Sequence, residues 1–267
     1  MNGRLVFLKL GGSLITVKDQ PHTPRLDVLE RVAQEIALAC AQDQALHLVL
    51  GHGSGSYGHA AASRYNTRQG VKSGASWKGF VEVWRQAAEL NHLVMHALEG
   101  AHIPAIDFPP SSMVMGRERK VEHWNLAPLS RALENGLLPV VYGDVVFDTV
   151  LGGTILSTED LFSYLARQLK PNCLLFAGLE PGVWADYPHK SHQLKEITPA
   201  IFPQVAAGLK GSSATDVTGG MLDKVQQVIS LVGELPGLQG MIFSGETPGN
   251  VQRALLGEAL GTVIHAA

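Results

Sequence analysis

Cysteine is nearly missing: the 267-residue chain has two, Cys40 and Cys173, both in apolar surroundings. They make neither a disulfide framework nor a metal site, and they fit reduced core positions of a cytoplasmic protein. Charge is sparse. Asp, Glu, Lys and Arg are 17% of the residues, against about 25% in an average domain, which predicts much buried surface or a subunit interface. The 21 Lys and Arg nearly balance 24 Asp and Glu, and no basic run occurs, which argues against a dedicated nucleic-acid binder. No apolar run reaches about 18 residues, so no transmembrane helix and no membrane partner are expected. The opening MNGRLVFLKLGGSL reads as a first strand rather than a signal peptide. Internal repeats and low-complexity segments are also missing.

What is present is regular. The apolar fraction is 45%, and the length suits one large α/β domain or two closely joined lobes. Strand and helix patterns alternate along the chain. Arg4–Leu10, Leu46–Leu50, Pro104–Phe108, Asn172–Ala177, Gly240–Phe243 and Thr262–His265 read as strands, and so does Leu137–Phe147 with a break at Gly143-Asp144. Helices are expected after Thr23 as N-cap and Pro24 as first helical residue, and over Ser76–Glu99, Asn125–Asn135, Thr158–Leu169, Gly220–Leu231 and Val251–Leu260. The alternation predicts a single α/β unit, 1–267, built as an αβα sandwich on a mainly parallel central sheet. A weak boundary near Leu169–Asn172 divides it into lobes 1–170 and 171–267. The polar stretch Ala185–Ser213 fits a mobile cover or a small hairpin.

Parallel sheets bind ligands beyond the C-terminal ends of their strands. Three glycine-rich turns fall at such ends or at helix starts: Gly11-Gly12-Ser13, Gly51–Gly58 and Gly219-Gly220. Glycines let backbone N–H groups converge on an anion, and a helix N-terminus adds partial positive charge. Any one such turn is more often only a tight turn. Three together, each near a polar or basic residue, point to phosphate. Neither a Walker A string nor a dinucleotide fingerprint nor protein-kinase signatures occur. Phosphoryl transfer also needs cations. Lys9 ends the first strand, Lys18 lies in the next loop, and Lys224 follows Gly220 by one helical turn.

LKLGGSLIT at 8–16, GHGSGSYGH at 51–59, GDVVFD at 143–148, TILSTED at 154–160 and DVTGGMLDK at 216–224 together resemble the amino-acid kinase family. Within it, the glycine run closing on His59 is similar to the branch that phosphorylates isopentenyl phosphate. The resemblance implies an N-terminal acceptor part, a C-terminal ATP part, a homodimer, and Mg2+ carried with ATP. No protein ligand for the metal is assigned. It further implies that Lys9, Lys18, His59 and Lys224 act in catalysis. Lys9, Gly11, Gly12, Ser13, Gly55, Gly220 and Lys224 would hold ATP, while Ser54, His59, Gly143 and Asp144 would bind the acceptor. The acceptor is itself an anionic phosphate, so alignment and cationic stabilisation replace a strong base. An imidazole near neutrality can donate to that phosphate.

Three departures stand out from the family pattern; in one, the glycine run reads Gly-Ser-Gly-Ser rather than all small non-polar residues, which adds hydroxyl donors compatible with phosphate. Thr158-Glu159-Asp160 takes the place of Gly-Asp-Asp, and either Glu159 or Asp160 could orient the lysines. Leu179-Glu180-Pro181-Gly182-Val183-Trp184 keeps a turn and a ring near the nucleotide base but lacks the aspartates. The isoprenoid tail needs an apolar pocket beyond His59, for which Phe80, Val83 and Trp84 are candidate liners. A more polar pocket would favour a fosfomycin-type phosphonate acceptor, and loss of the lysines would favour a non-catalytic nucleotide-binding protein.

Overall fold

The computed structural model describes residues 3–209 and 220–266. β1 (Arg4–Leu10) leads through a short α1 (Gly12–Ile15) to α2 (Leu26–Gln42) and β2 (Leu46–His52). Next come α3 (His59–Tyr65), a 3-10 turn at Thr67–Gln69, the long α4 (Gly74–Gly100) and β3 (Ala105–Asp107). α5 (Pro110–Met113), β4 (Val114–Arg117) and β5 (Lys120–Trp124) precede α6 (Ala127–Glu134), β6 (Leu138–Tyr142), β7 (Asp144–Asp148), β8 (Gly152–Leu156) and α7 (Thr158–Leu169). The remainder is β9 (Cys173–Gly178), β10 (Val183–Trp184), β11 (Gln193–Leu194), β12 (Glu196–Ile197), α8 (Phe202–Leu209), α9 (Gly220–Glu234), β13 (Gln239–Ser244), α10 (Asn250–Leu255) and β14 (Thr262–His265).

Among the described residues, eight strands form the central sheet in the order β12-β14-β13-β9-β1-β2-β6-β3. Every neighbouring pair is parallel except β13 with β14. This is the mainly parallel αβα sandwich that the alternation predicts. β1 and β9 lie at its middle and read as continuous apolar runs because both sheet faces are covered. Side chains alternate across β1. Val6, Leu8 and Leu10 enter the core with Leu29 and Ile36 of α2 and Leu90 of α4. Leu5 and Phe7 enter the opposite core with Phe162 and Leu165 of α7 and Val228 of α9. Lys9 has the parity of Phe7, so it emerges on the α7 side at the C-terminal end of the strand.

A second sheet, β5-β4-β7-β8, was not legible as a unit. Its short strands carry Gly116, Gly152 and Gly153, which dilute an alternating pattern. β6 and β7 part at Gly143, as the sequence break predicts, and each joins a different sheet.

Two of the helix ends that differ from expectation have a visible cause. α2 begins at Leu26, with Arg25 as N-cap. Thr23 and Pro24 are not its cap and first residue, because Pro24 pairs across an antiparallel bridge with Thr16 and holds that backbone extended. α10 ends at Leu255 rather than Leu260. Gly257, at φ +96°, turns the chain left-handed, and Glu258 N–H closes back on the Arg253 carbonyl at 3.0 Å. In the stretch from Ala185, β11 pairs antiparallel with the preceding β10, β12 joins the sheet edge, and α8 follows. Residues 210–213 of that stretch, and Gly219 with the first residues of DVTGGMLDK, lie outside the described residues.

Candidate active site

At the C-terminal end of the sheet a cavity of about 520 Å³ opens between the β1, β2 and β9 ends and the start of α9. Lys9, Gly11, Gly12, Ser13, Lys18, Ser54, Gly55, His59, Gly143, Glu159, Gly220 and Lys224 line it. They come from distant parts of the chain and meet because their strands lie side by side.

The two glycine turns are fitted to each other. A Cβ on Gly12 would lie 2.3 Å from the Gly55 nitrogen, and one on Gly55 would lie 2.2 Å from Thr16 Oγ1. Gly55 also has φ +51°, which disfavours other residues. Thr16 stitches the turns together: its hydroxyl donates to the Gly12 carbonyl at 2.8 Å and accepts from Ser56 N–H at 2.9 Å. Thr16 closes the LKLGGSLIT string, yet nothing in the sequence marks it as a clamp. The N–H groups of Gly12, Ser13, Ser54 and Gly55 have no hydrogen-bond acceptor among the described residues. Four backbone donors around one cavity form a nest for an anion.

The structure separates the two adjacent carboxylates of α7. Ser157 caps the helix, and Asp160 completes a capping box, accepting from the Ser157 N–H and hydroxyl at 2.8 Å each. Glu159, about 100° away around the helix, lines the cavity and forms an ion pair with Lys9. Both partners are mostly buried. Burial alone would raise the Glu159 carboxyl, but the charges of Lys9 and then Lys224 hold it below the usual carboxylate range. Asp160 instead faces Arg68 at 3.6 Å.

Asp144 is a correction. Its neighbour Gly143 lines the cavity, but Asp144 is fully buried and does not. As the first residue of β7 it turns inward, where it accepts from Val145 N–H at 2.8 Å and Ser111 N–H at 3.3 Å. Burial pushes its carboxyl up to about 6 against those bonds.

His59 starts α3 after Gly58 and borders both the main cavity and a recess of about 30 Å³. That recess is lined by Gly58, Ala62, Arg68, Val83, Ala87 and Ile155, with Ser54 and Gly143 at its mouth. Of the expected tail liners, Val83 is there. Phe80 is buried behind it against Gly153, and Trp84 is 43% exposed, because it lies on another side of α4. On the other side of the cavity, Leu179 and Glu180 line the wall, and Glu180 accepts from the Trp184 indole at 2.8 Å. Asp19, Thr158 and Asp223 also line the cavity, although the sequence alone assigns none of them a role there. Asp223 was within a recognised motif and could have been found there.

His92 and His96 are exposed on α4. Cys40 and Cys173 are free thiols, and burial pushes Cys173 up to about 11. Among the described residues no helix is long and apolar enough to cross a membrane.

Comparison with known proteins agrees with this geometry. The Amino acid kinase family matches residues 4–244. The isopentenyl phosphate kinase of Methanocaldococcus jannaschii is 34% identical over 266 residues, covering 97% of this chain and 98% of the relative. That of Methanothermobacter thermautotrophicus is 32% identical over 262 residues, covering 95% and 96%. A crystal structure of isopentenyl phosphate kinase superposes with a TM-score of 0.80 at 30% identity, covering 97% of this chain and 99% of the other. Carbamate kinase from Giardia lamblia shares the fold at 16% identity, with a TM-score of 0.68 and 99% of each chain covered. The motifs, their convergence on one cavity and these likenesses agree: the chain belongs to the amino acid kinase family, in its isopentenyl phosphate kinase branch.

Proposed function

We infer that the protein transfers the terminal phosphoryl group of ATP to isopentenyl phosphate, giving isopentenyl diphosphate and ADP. The observation that carries this reading is the pairing of two features at one mouth. A nest of backbone donors that have no acceptor among the described residues, with Lys9, Lys18 and Lys224, fits polyphosphate, and beside it, past His59, lies a small recess with mostly apolar walls. The relatives are named isopentenyl phosphate kinases, and one similar solved structure, 25% identical, is a substrate complex of that enzyme.

In this reading the acceptor phosphate lies on the Ser54 N–H and His59, with its tail in the recess against Val83, Ala87 and Ile155. ATP lies along Gly11, Gly12, Ser13 and Gly55, towards Gly220 at the start of α9. The attacking oxygen is already anionic, so no base is required. Lys9, oriented by Glu159, and Lys224 spread the charge that develops on the transferred group, while the loop lysine Lys18 closes from solvent. Among the described residues no group of three or more metal-binding side chains occurs. The chemistry fits Mg2+ carried on the nucleotide phosphates, where it neutralises charge.

The apolar recess favours an isoprenoid over a phosphonate acceptor. We further propose that the protein is cytoplasmic, that residues 1–170 and 171–267 act as its acceptor and ATP lobes, and that it is a homodimer. Val81 and Trp84 on α4 and Phe147 on β7 are large apolar side chains at least 43% exposed, and they supply a self-complementary face.

The test is ADP release with MgATP and isopentenyl phosphate, fosfomycin or an N-acetyl amino acid. Selective turnover of isopentenyl phosphate is expected. Turnover of another acceptor alone would overturn the substrate, and silence on all three despite ATP binding would overturn catalysis.

A further inference from the structure

The Gly53–Gly55 turn can hold an anion only if its peptides point their N–H groups into the cavity. His52, the last residue of β2, sits directly behind that turn and is 1% exposed. Its ring stacks on Tyr142 of β6, with centroids 5.2 Å apart and planes 11° apart. Its Nδ1 lies 3.1 Å from the Gly53 carbonyl oxygen, and its Nε2 lies 3.2 Å from Asn91 Oδ1 on α4. Asn91 Nδ2 donates in turn to Asp107 at the end of β3, at 3.3 Å.

The chain of contacts has a direction. A carboxylate only accepts, so Asp107 sets the Asn91 amide with its oxygen towards the ring, and Nε2 carries a proton. Nδ1 also faces an acceptor. Both bonds form together only when the ring carries two protons, with the Asp107 carboxylate at the far end of the amide. Burial, together with the Lys9 charge, holds the ring below the usual imidazole range despite the bonds to Gly53 and Asn91. Negative charge arriving in the cavity favours the second proton.

The Gly53 carbonyl and the Ser54 N–H belong to one planar trans peptide and point in opposite directions. Holding the oxygen back against His52 turns the N–H forward, and Ser54 lines both the cavity and its recess. A hydrogen bond on the oxygen also polarises the peptide and strengthens the donor at its other end. The backbone of His52 adds two further ties. Its carbonyl accepts from Thr158 Oγ1 at 2.6 Å and from Gly143 N–H at 3.2 Å, joining the turn to the start of α7 and to the β6–β7 junction.

We propose that His52 is a positioning residue that fixes the Gly53–Ser54 peptide so that the Ser54 N–H is presented to the acceptor phosphate. The proposal rests on the reading of the cavity as a phosphoryl-transfer site. His52→Asn puts an amide nitrogen where Nδ1 stands, and His52→Gln puts one where Nε2 stands. Both are neutral and polar and leave the backbone ties in place. H52Q is expected to raise KM for isopentenyl phosphate about tenfold with kcat within about threefold, while H52N keeps KM within about threefold of wild type. Equal KM in the two variants, or a loss confined to kcat, overturns the proposal.

A second measurement needs neither a variant nor turnover. Nitrogen-15 NMR of the wild-type protein with inorganic phosphate bound should show protons on both ring nitrogens of His52. A bare Nδ1 in the phosphate-bound protein overturns the proposal. Failure of the wild type to turn over isopentenyl phosphate, with this signature present, overturns the substrate reading alone.

Discussion

Glu159 and Asp160 are chemically alike and adjacent, yet the fold gives them separate work. Asp160 caps α7, and Glu159 meets Lys9. Their amides should therefore fail differently. E159Q is expected to lower kcat about a hundredfold and to lower Tm as well, since the mostly buried Lys9 ammonium loses its orienting and neutralising partner. D160N is expected to lose about 1 kcal/mol of stability with kcat little changed, which thermal melts and steady-state rates would separate. The reverse pattern would exchange the two roles.

Asp144 gives a residue-scale prediction with a defined sign. Its carboxyl is pushed from 3.8 to about 6 by burial, so the folded state binds its proton more tightly than the unfolded chain. That contribution is complete below the unfolded value and is lost as pH rises through the folded one. Relative to D144N, the wild type should lose up to about 3 kcal/mol between roughly pH 4 and pH 7. Denaturant melts of the two proteins across that range measure the difference, and a constant gap would contradict the assignment.

At the scale of elements, the site is two turns pressed together and held by Thr16. Gly12→Ala would set its Cβ 2.3 Å from the Gly55 backbone, which is not a flexible group that can swing aside. The turns must separate. G12A should raise KM for ATP and reduce kcat together, by about tenfold or more, because the donors no longer converge. The same turns explain how much could be read from the sequence. Gly-Gly after an apolar strand announces a close approach, and β1 announces its own parity, so Lys9 could be placed at the ligand end of the sheet. The second sheet could not be read, because its strands are short and interrupted by glycine.

The whole molecule supplies what no segment contains. α4 packs Leu90 and Val94 on the central sheet and turns Val83 and Ala87 to the recess. Trp84 is left outward with Val81, and the Trp77 ring reaches Phe147 at 5.9 Å. Light scattering should give twice the mass of one chain, and the double variant W84E/F147E should give a single one; a wild-type monomer would contradict the homodimer.

By itself the sequence determined the α/β class, the parallel core strands, the glycine turns after β1 and β2, the lysines and the family, because each of these is local. Periodicity, glycine placement and short motifs are properties of neighbouring residues. Only the tertiary structure decided between Glu159 and Asp160, turned Asp144 inward, set Trp84 outside the recess and placed His52 behind the turn. Lys9 and Glu159 are 150 residues apart in the chain. Which groups meet over such a distance depends on strand order and helix phase, and no local pattern records either one.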